Sequence, residues 1–394
     1  MLKILCLTCH DLDGPDYGAS LRGRNLFRLL ARHGEVRVVL AGSHKFWDDR
    51  PKPSFGGFEL LRAVQFHPSP RFSIGERLRH ELDPRFLNTN GFQAGAGDRE
   101  WLLKTLAQHD LVWIHGLGVA NGFGLWRWPA SVLDIDDIPS SLYRSSLTQA
   151  ASFLDQMRWR RQVFLWRRHE RKITERFDAL CVCSGPDREI MGGGDNIFVV
   201  PNGFTPPEKS PVRQPAEPPR IGFVGTFRHG PNRAGVRWFV EKVWPLIREK
   251  MPQARFRVAG ENSEAENWRG HENVDALGWV ADLESEMASW SLAVVPVFVG
   301  GGTRVKIAEA FGRQCPVVST TLGAYGYDVT DGRDLLLADS AEGFAAKCLE
   351  ILTRPATGQA LAGNAWKKFN EHWTWDKQAE QMDRVVQKVL GKSA

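Results

Sequence analysis

Cysteine is scarce in this chain, with six among 394 residues. Cys6 and Cys9 have the spacing of a redox or zinc pair, but no second pair completes a tetrahedral set. Cys181 and Cys183 sit two apart on one strand and face the same side. The six read as buried, reduced thiols, which speaks against a disulfide framework. Long apolar runs are missing too: no stretch reaches the roughly 18 residues of a membrane span. The opening Met1-Leu-Lys-Ile-Leu-Cys-Leu-Thr-Cys is a short strand without a small-residue cleavage site, which argues against export. The expected location is therefore cytoplasmic. Charge of one sign is hardly in excess, at +5, so no nucleic-acid partner is expected. The full Gly-x-Gly-x-x-Gly pattern is also absent: Gly222-Phe-Val-Gly225-Thr-Phe-Arg228 follows a strand without it. That weighs against a nicotinamide or flavin enzyme.

What is present fits two α/β domains. The length suggests two cores, and 42% apolar with 25% charged residues is ordinary globular composition. Short apolar runs alternate with helical patterns, as in parallel sheets covered on both faces. In the first half the strand candidates are Lys3 to Leu7, Val36 to Leu40, Asp110 to Ile114, Ser131 to Asp134, Ala179 to Cys183 and Ile197 to Val200. A helix with Leu26, Leu29 and Leu30 on one face follows the first. Phe66 to Asp98, broken by prolines and glycines, reads as an irregular insertion. Six of the 22 prolines fall between Thr205 and Arg220, which marks residues 205–219 as a semi-rigid linker. After it come strand candidates Arg220 to Val224, Arg255 to Ala259, Val274 to Leu277, Leu292 to Val297, Pro316 to Ser319 and Asp334 to Ala338. Helices are expected at Ala234 to Met251, Ala341 to Thr353 and Asp376 to Leu390. The domains are thus 1–204 and 220–375, with a closing helix in 376–394.

The stretch Pro296-Val-Phe-Val-Gly-Gly-Gly-Thr-Arg-Val-Lys-Ile-Ala-Glu309-Ala-Phe-Gly-Arg-Gln-Cys-Pro-Val-Val-Ser319 is the most informative. It reads as strand, glycine loop, helix from about Arg304 to Gly312, and strand. A helix that starts after Gly300, Gly301, Gly302 and Thr303 has open backbone N–H groups at its first turn. Its dipole, Arg304 and Lys306 add positive charge, which suits a diphosphate. Glu309, further along, suits paired hydroxyls such as those of a ribose. A diphosphate seat beside a diol acceptor describes a nucleotide site.

This string resembles the signature of retaining glycosyltransferases of the GT-B fold, family four: a Gly-rich loop, a helix with a Glu-Ala pair (Glu309-Ala310) and a Pro-Val-Val-Ser strand. The resemblance implies two Rossmann-like domains facing a cleft, with the acceptor on the first. It implies a nucleotide-diphosphate sugar as substrate, no cofactor and no metal, and a glycan or lipid-linked acceptor, as in polysaccharide biosynthesis. It implies that the closing helix crosses back to the first domain. Two departures stand out. The family has two glutamates eight residues apart, but counting back from Glu309 lands on Gly301, so the first is absent and the chain is a triple-glycine-loop variant. The family's Arg/Lys pair in the loop after Gly225 is replaced by Thr226 and Asn232, so Arg228 or Arg233 takes its place, or Arg304 and Lys306 carry the whole load.

Further residues follow from position and resemblance. His115, at a strand end, matches the residue that meets the donor sugar, so it joins Arg304 and Lys306 in the catalytic set. Gly18, Arg22 and Asp136 are expected on the acceptor side, and Val280 near the base. Trp279 reads as a base neighbour or as core. Asp134, Asp136 and Asp137 cluster as for a cation, but the resemblance implies none. An inverting transferase, with Asp136 or His10 as base, an epimerase and an inactive sugar-nucleotide binder stay open as alternatives. Met157 to Arg176 carries eight Arg/Lys against two Glu. It reads as a solvated helix, as a patch for an anionic acceptor, or as a peripheral contact with the inner face of a membrane.

Overall fold

Strands buried on both faces are continuous apolar runs, and this rule places most of the sheets. The structure, a computed structural model, describes the chain except residues 14–17, 44–53, 70–72, 88–90, 206–211, 267, 269 and 392–394. Part of the expected linker, and parts of the loop before Gly18 and of the Phe66 to Asp98 insertion, lie outside the described residues. The chain divides into two units, Met1–Pro201 with Gln378–Ala394, and Asn202–Lys377.

In the first unit, β1 (Leu2–Thr8), β2 (Gly34–Ser43), β3 (Ser54–Phe55), β4 (Phe58–Pro68), β5 (Phe92–Ala94), β6 (Leu111–His115), β7 (Ser131–Ile135), β8 (Ala179–Val182) and β9 (Ile197–Val199) form one sheet. Its order is β3-β4-β2-β1-β6-β7-β8-β9, with β5 on β4. The strands from β4 to β9 along this path pair parallel, and only β3 and β5 run antiparallel, at the β4 edge. Leu5, Leu7, Val112, Ile114, Leu133 and Leu180 are among the buried core. The insertion is not irregular: its described residues hold the end of β4, helix Ile74–Leu82, β5 and the start of helix Ala96–Leu106. β4, covered on its outer side only by the short β3 and β5, is mostly exposed or half-exposed, a pattern that a search for continuous apolar runs passes over.

In the second unit, β10 (Arg220–Val224), β11 (Arg255–Ala259), β12 (Val274–Gly278), β13 (Leu292–Val295), β14 (Val317–Ser319) and β15 (Leu336–Leu337) pair parallel in the order β12-β11-β10-β13-β14-β15. The helix expected over Ala234 to Met251 runs as Gly230–Trp238, a wide π turn at Phe239–Val243, and Trp244–Lys250. Pro245, without an N–H, accounts for the break in regular pairing there. Phe239, Phe256 and Phe344 pack beneath it with ring centroids 4.6 and 5.8 Å from Phe239. Helix Pro355–His372 has no counterpart in the sequence reading. The described part of the Pro-rich window lies along this unit: Gln214 N–H donates to Ala288 and Ala216 N–H to Ser289. The last helix, Trp375–Val389, belongs to the first unit from Gln378 on, and His33 meets its Asp383 at 3.0 Å. Both sheets reverse direction of growth once, between β1 and β6 and between β10 and β13, and in such sheets ligands sit at that reversal, beyond the strands' carboxyl ends.

Candidate functional site

At the second unit's reversal, the loops after β10 and β13 come together. Gly225 follows β10 at φ 154°, and an added Cβ there would lie 2.8 Å from Asn232 Nδ2 and 2.9 Å from Lys306 Nζ. Gly260 packs on the Gly225 carbonyl, where a Cβ would stand at 2.1 Å. Asn232 is buried; its Nδ2 donates to the Thr226 carbonyl (3.0 Å) and its Oδ1 accepts from Lys306 Nζ (2.8 Å). Thr226 and Asn232 therefore act as a bracket for Lys306. Lys306 itself lies 4.0 Å over the Phe223 ring. Burial, helped by the charge of Arg304 and opposed by Glu309, pushes its amine down to about 7. Arg228 points elsewhere, exposed and paired with Glu261 at 2.7 Å. Arg233 is likewise on the surface, 3.7 Å from Glu266.

The glycine loop takes the shape its composition allows. Gly300 and Gly302 have φ of 147° and 59°, conformations an L-side chain rarely adopts. Gly301 is buried, and Thr303 Oγ1 accepts from Asn202 at 3.0 Å. The helix spans Val305–Gly312, with Arg304 as its cap and no side chain bonding its first amides. Arg304 folds back over the loop instead: its guanidinium donates to the Gly301 carbonyl and, at 3.0 Å, to the Gly302 carbonyl. Tyr327 O–H holds the Arg304 carbonyl at 2.9 Å. The expected open cationic pair is thus one enclosed lysine and one arginine turned onto the loop, because carbonyls freed by the glycine turns offer acceptors close by.

One turn on, Glu309 is largely buried, and burial raises its carboxyl above the usual range against the pull of Arg313 and Lys306. Its Oε1 accepts from Arg313 at 3.0 Å, and no described residue bonds Oε2. Arg313 also holds Glu284, at 2.8 and 3.0 Å, and lies 4.6 Å over the Phe204 ring. The Glu284–Arg313–Glu309 ladder was not read from the sequence; Arg313 at i+4 from Glu309 was the available signal. Val280 is half-buried beside Trp279, which is 67% exposed and so not core.

The first unit's reversal holds a different arrangement. Arg22 was expected on the acceptor side; it is instead 0% exposed, with Nη2 2.5 Å and Nε 3.0 Å from Asp134 and Nη1 2.8 Å from the Val200 carbonyl. An arginine on a buried carboxylate and a carbonyl ties helix Gly18–Leu30 to β7 and to the residue after β9. Asp134 also takes His115 Nδ1 at 2.7 Å. Burial alone would push the Asp134 carboxyl up, but Arg22 and His115 outweigh it and hold it at about 2. Asp134 is thus consumed inside the fold, and among the described residues no group of three or more His, Cys, Asp and Glu is arranged to hold a metal ion. Asp136 is half-buried and accepts from Cys183 Sγ at 3.0 Å. His115 Nε2 faces the Ala19 carbonyl at 3.1 Å, so a sugar hydroxyl reaches this ring only by replacing that carbonyl. Gly18 opens helix Gly18–Leu30, and a Cβ on its Gly23 would stand 3.4 Å from His115. His10 lies edge-on to His115, ring centroids 5.0 Å apart. Burial first, then the His115 charge, push His10 down to about 4, which makes it a weak base and disfavours it for an inverting reaction.

Residues 218–354 match the sequence profile of the family described as "Glycosyl transferases group 1". A 44.6 kDa protein of the cps region of Klebsiella pneumoniae is 22% identical over 161 residues, covering 38% of this chain and 42% of that protein, so the match spans less than half of the relative. Sucrose-phosphate synthase from Thermosynechococcus elongatus superposes with a TM-score of 0.69 at 17% identity over 100% of both chains. The Anabaena protein HepE, in complex with UDP and glucose, superposes at 0.62 and 16% identity over 98% of this chain and 99% of that one. The chain has the GT-B fold of these structures, and residues 218–354 of its second unit are similar to the group 1 glycosyltransferase profile.

Proposed function

We propose that this protein is a retaining, metal-independent glycosyltransferase of hexosyl type. It moves a sugar from a nucleoside-diphosphate donor to a glycan or lipid-linked acceptor, on the cytoplasmic side of a membrane it touches peripherally. The observation that carries the reading is the enclosed Lys306 amine beside three glycines at positive φ, Gly225, Gly300 and Gly302, at the reversal of the second sheet. Backbone stripped of Cβ atoms, a helix start and a desolvated cation together fit a diphosphate. The UDP and glucose held by the Anabaena relative are a ligand of that class.

The donor's diphosphate would take the amides of Gly300 to Thr303 and the Lys306 amine. Arg304 would turn from its carbonyls toward the phosphates, and Glu309 Oε2 would take the ribose. Val280 and the exposed Trp279 would border the base. Breaking the sugar–phosphate bond leaves charge on the diphosphate, and the fixed amide dipoles and Lys306, with Arg304 once it has turned on donor binding, would stabilise it. This supplies the charge stabilisation that a cation would otherwise give. On the first unit, Gly18 and Asp136 are the acceptor-side residues this reading keeps.

A thermal-shift panel of UDP, GDP, ADP and CMP tests the reading. One diphosphate, at ~100 times its Kd, should stabilise the protein by about 2.7 kcal/mol, and Glu309→Ala and Arg304→Ala should lose most of that. No shift with any nucleotide at millimolar concentration would end the binding claim. Gly225→Ala is a sharper probe of placement. Its Cβ would displace Asn232 and Lys306, and with strain of about 1–3 kcal/mol the dissociation constant should rise at least about tenfold. Unchanged affinity in that variant would place the ligand elsewhere.

A further inference from the structure

Of the twelve large apolar side chains exposed among the described residues, seven lie on two neighbouring helices of the first unit. Ile74, Leu78 and Leu82 recur every four residues along helix Ile74–Leu82, so they form one stripe, and they are 79%, 54% and 68% exposed. Phe153, Leu154, Met157 and Phe164 lie on helix Phe153–Ile173, Phe153 and Leu154 at 70% and 78%. Phe153, Met157 and Phe164 are about one and three turns apart and therefore share a strip. The two helices are fastened by their polar sides: Arg161 pairs with Glu81, and Arg168 donates to the carbonyls of Glu81 (3.0 Å) and Leu82 (2.7 Å). His169 lies 2.8 Å from the Pro84 carbonyl. The platform is thus built by hydrogen bonds while its apolar side chains are left in water, the reverse of how a solvated helix pair packs.

Charge completes the pattern. Helix Phe153–Ile173 carries seven Arg/Lys against Asp155 and the buried Glu170. By helical spacing Arg160, Arg167 and Arg171, all exposed, fall on or beside the phenylalanine strip. The nearby carboxylates are occupied locally: Glu76 caps its own helix through Ser73, and Glu81 is on Arg161. Apolar groups interleaved with arginines fit the boundary between anionic headgroups and acyl chains. A second copy of the chain would bring the same positive charges face to face, and a nucleic acid would leave the Ile74–Leu82 stripe in water.

We propose that the outer face of helices Ile74–Leu82 and Phe153–Ile173 docks on an anionic lipid bilayer. The claim gives the peripheral membrane contact of the proposed function a defined surface, but it stands apart from the transfer reaction because vesicle binding is measured without nucleotide. The test is co-sedimentation of the full chain with vesicles of phosphatidylcholine alone and mixed with phosphatidylglycerol. Binding should be at least about tenfold stronger to the mixed vesicles and should weaken in high salt. Leu78→Ser with Leu82→Ser, and Arg160→Glu with Arg167→Glu, should each weaken it by about tenfold or more. Unchanged unfolding midpoints and circular dichroism would show that both variants fold. Equal binding to both vesicle types, or wild-type binding by both folded variants, would overturn the proposal. So would light scattering that shows a dimer lost in the leucine variant, because a second copy would then cover the face.

Discussion

Exchange of Lys306 for methionine is expected to lower kcat/KM for donor turnover by about 10²- to 10³-fold, the usual cost of losing one preorganised group aimed at developing charge. Methionine keeps the packing on Phe223 and removes only the amine, so the unfolding midpoint should change little. The same amine makes binding depend on pH. In the free protein it titrates at about 7, and a diphosphate selects its protonated form. Affinity should therefore be full below pH 7 and fall, toward tenfold per pH unit, as pH rises above it, until the raised value in the complex is reached. Binding near pH 8 should take up a proton, visible as a dependence of the calorimetric heat on the buffer. Stability alone runs the other way. A lysine whose folded value is depressed binds fewer protons folded than unfolded between about pH 7 and 10, so its contribution favours folding as pH rises. Affinity that is flat from pH 6 to 9, or equal in Lys306→Met, would remove Lys306 from the site.

The second large effect lies in the first unit. Asp134→Ala should destabilise it by about 3–5 kcal/mol, because Arg22 would keep its charge in a fully buried position with no carboxylate. His115 would lose its Nδ1 partner in the same step. The pH sign follows from the carboxyl held at about 2. Its contribution is fully present above the ordinary value near 3.8 and is lost as pH falls through about 2. Wild type should thus show an acid-unfolding transition in that window that Asp134→Asn lacks. Chemical denaturation at pH 7 and acid titration by circular dichroism read both. A loss under 1 kcal/mol would mean that the buried pair is dispensable.

Much of this fold was legible because doubly covered parallel strands are short apolar runs. Arg220–Val224 and Arg255–Ala259 match their expected bounds, and Val305–Gly312 differs from its expectation by one residue at the start. Edge structure was not legible in that way: β4 is mostly exposed or half-exposed, and Ile74–Leu82 shows apolar spacing that a proline-rich setting hides. Side-chain partners far apart in sequence were out of reach. Arg22 and Asp134 are 112 residues apart, and Asn232 and Lys306 74; no local pattern connects them. Position in the sequence puts Arg22 on the acceptor side, and only the fold reveals its buried tie to Asp134. Arg304 was read as a free cation, although carbonyls released by the neighbouring glycines draw it back.

The central claim is that the second unit seats a nucleoside diphosphate through its phosphates. Calorimetric titration of the whole chain with a nucleoside diphosphate and with the matching nucleoside tests it most directly. If the Gly300–Thr303 amides and Lys306 form the seat, the diphosphate that shifts the protein should bind at least about 100-fold more tightly than its nucleoside, a difference of about 2.7 kcal/mol. Equal affinities, or no heat from any diphosphate at millimolar concentration, would contradict it.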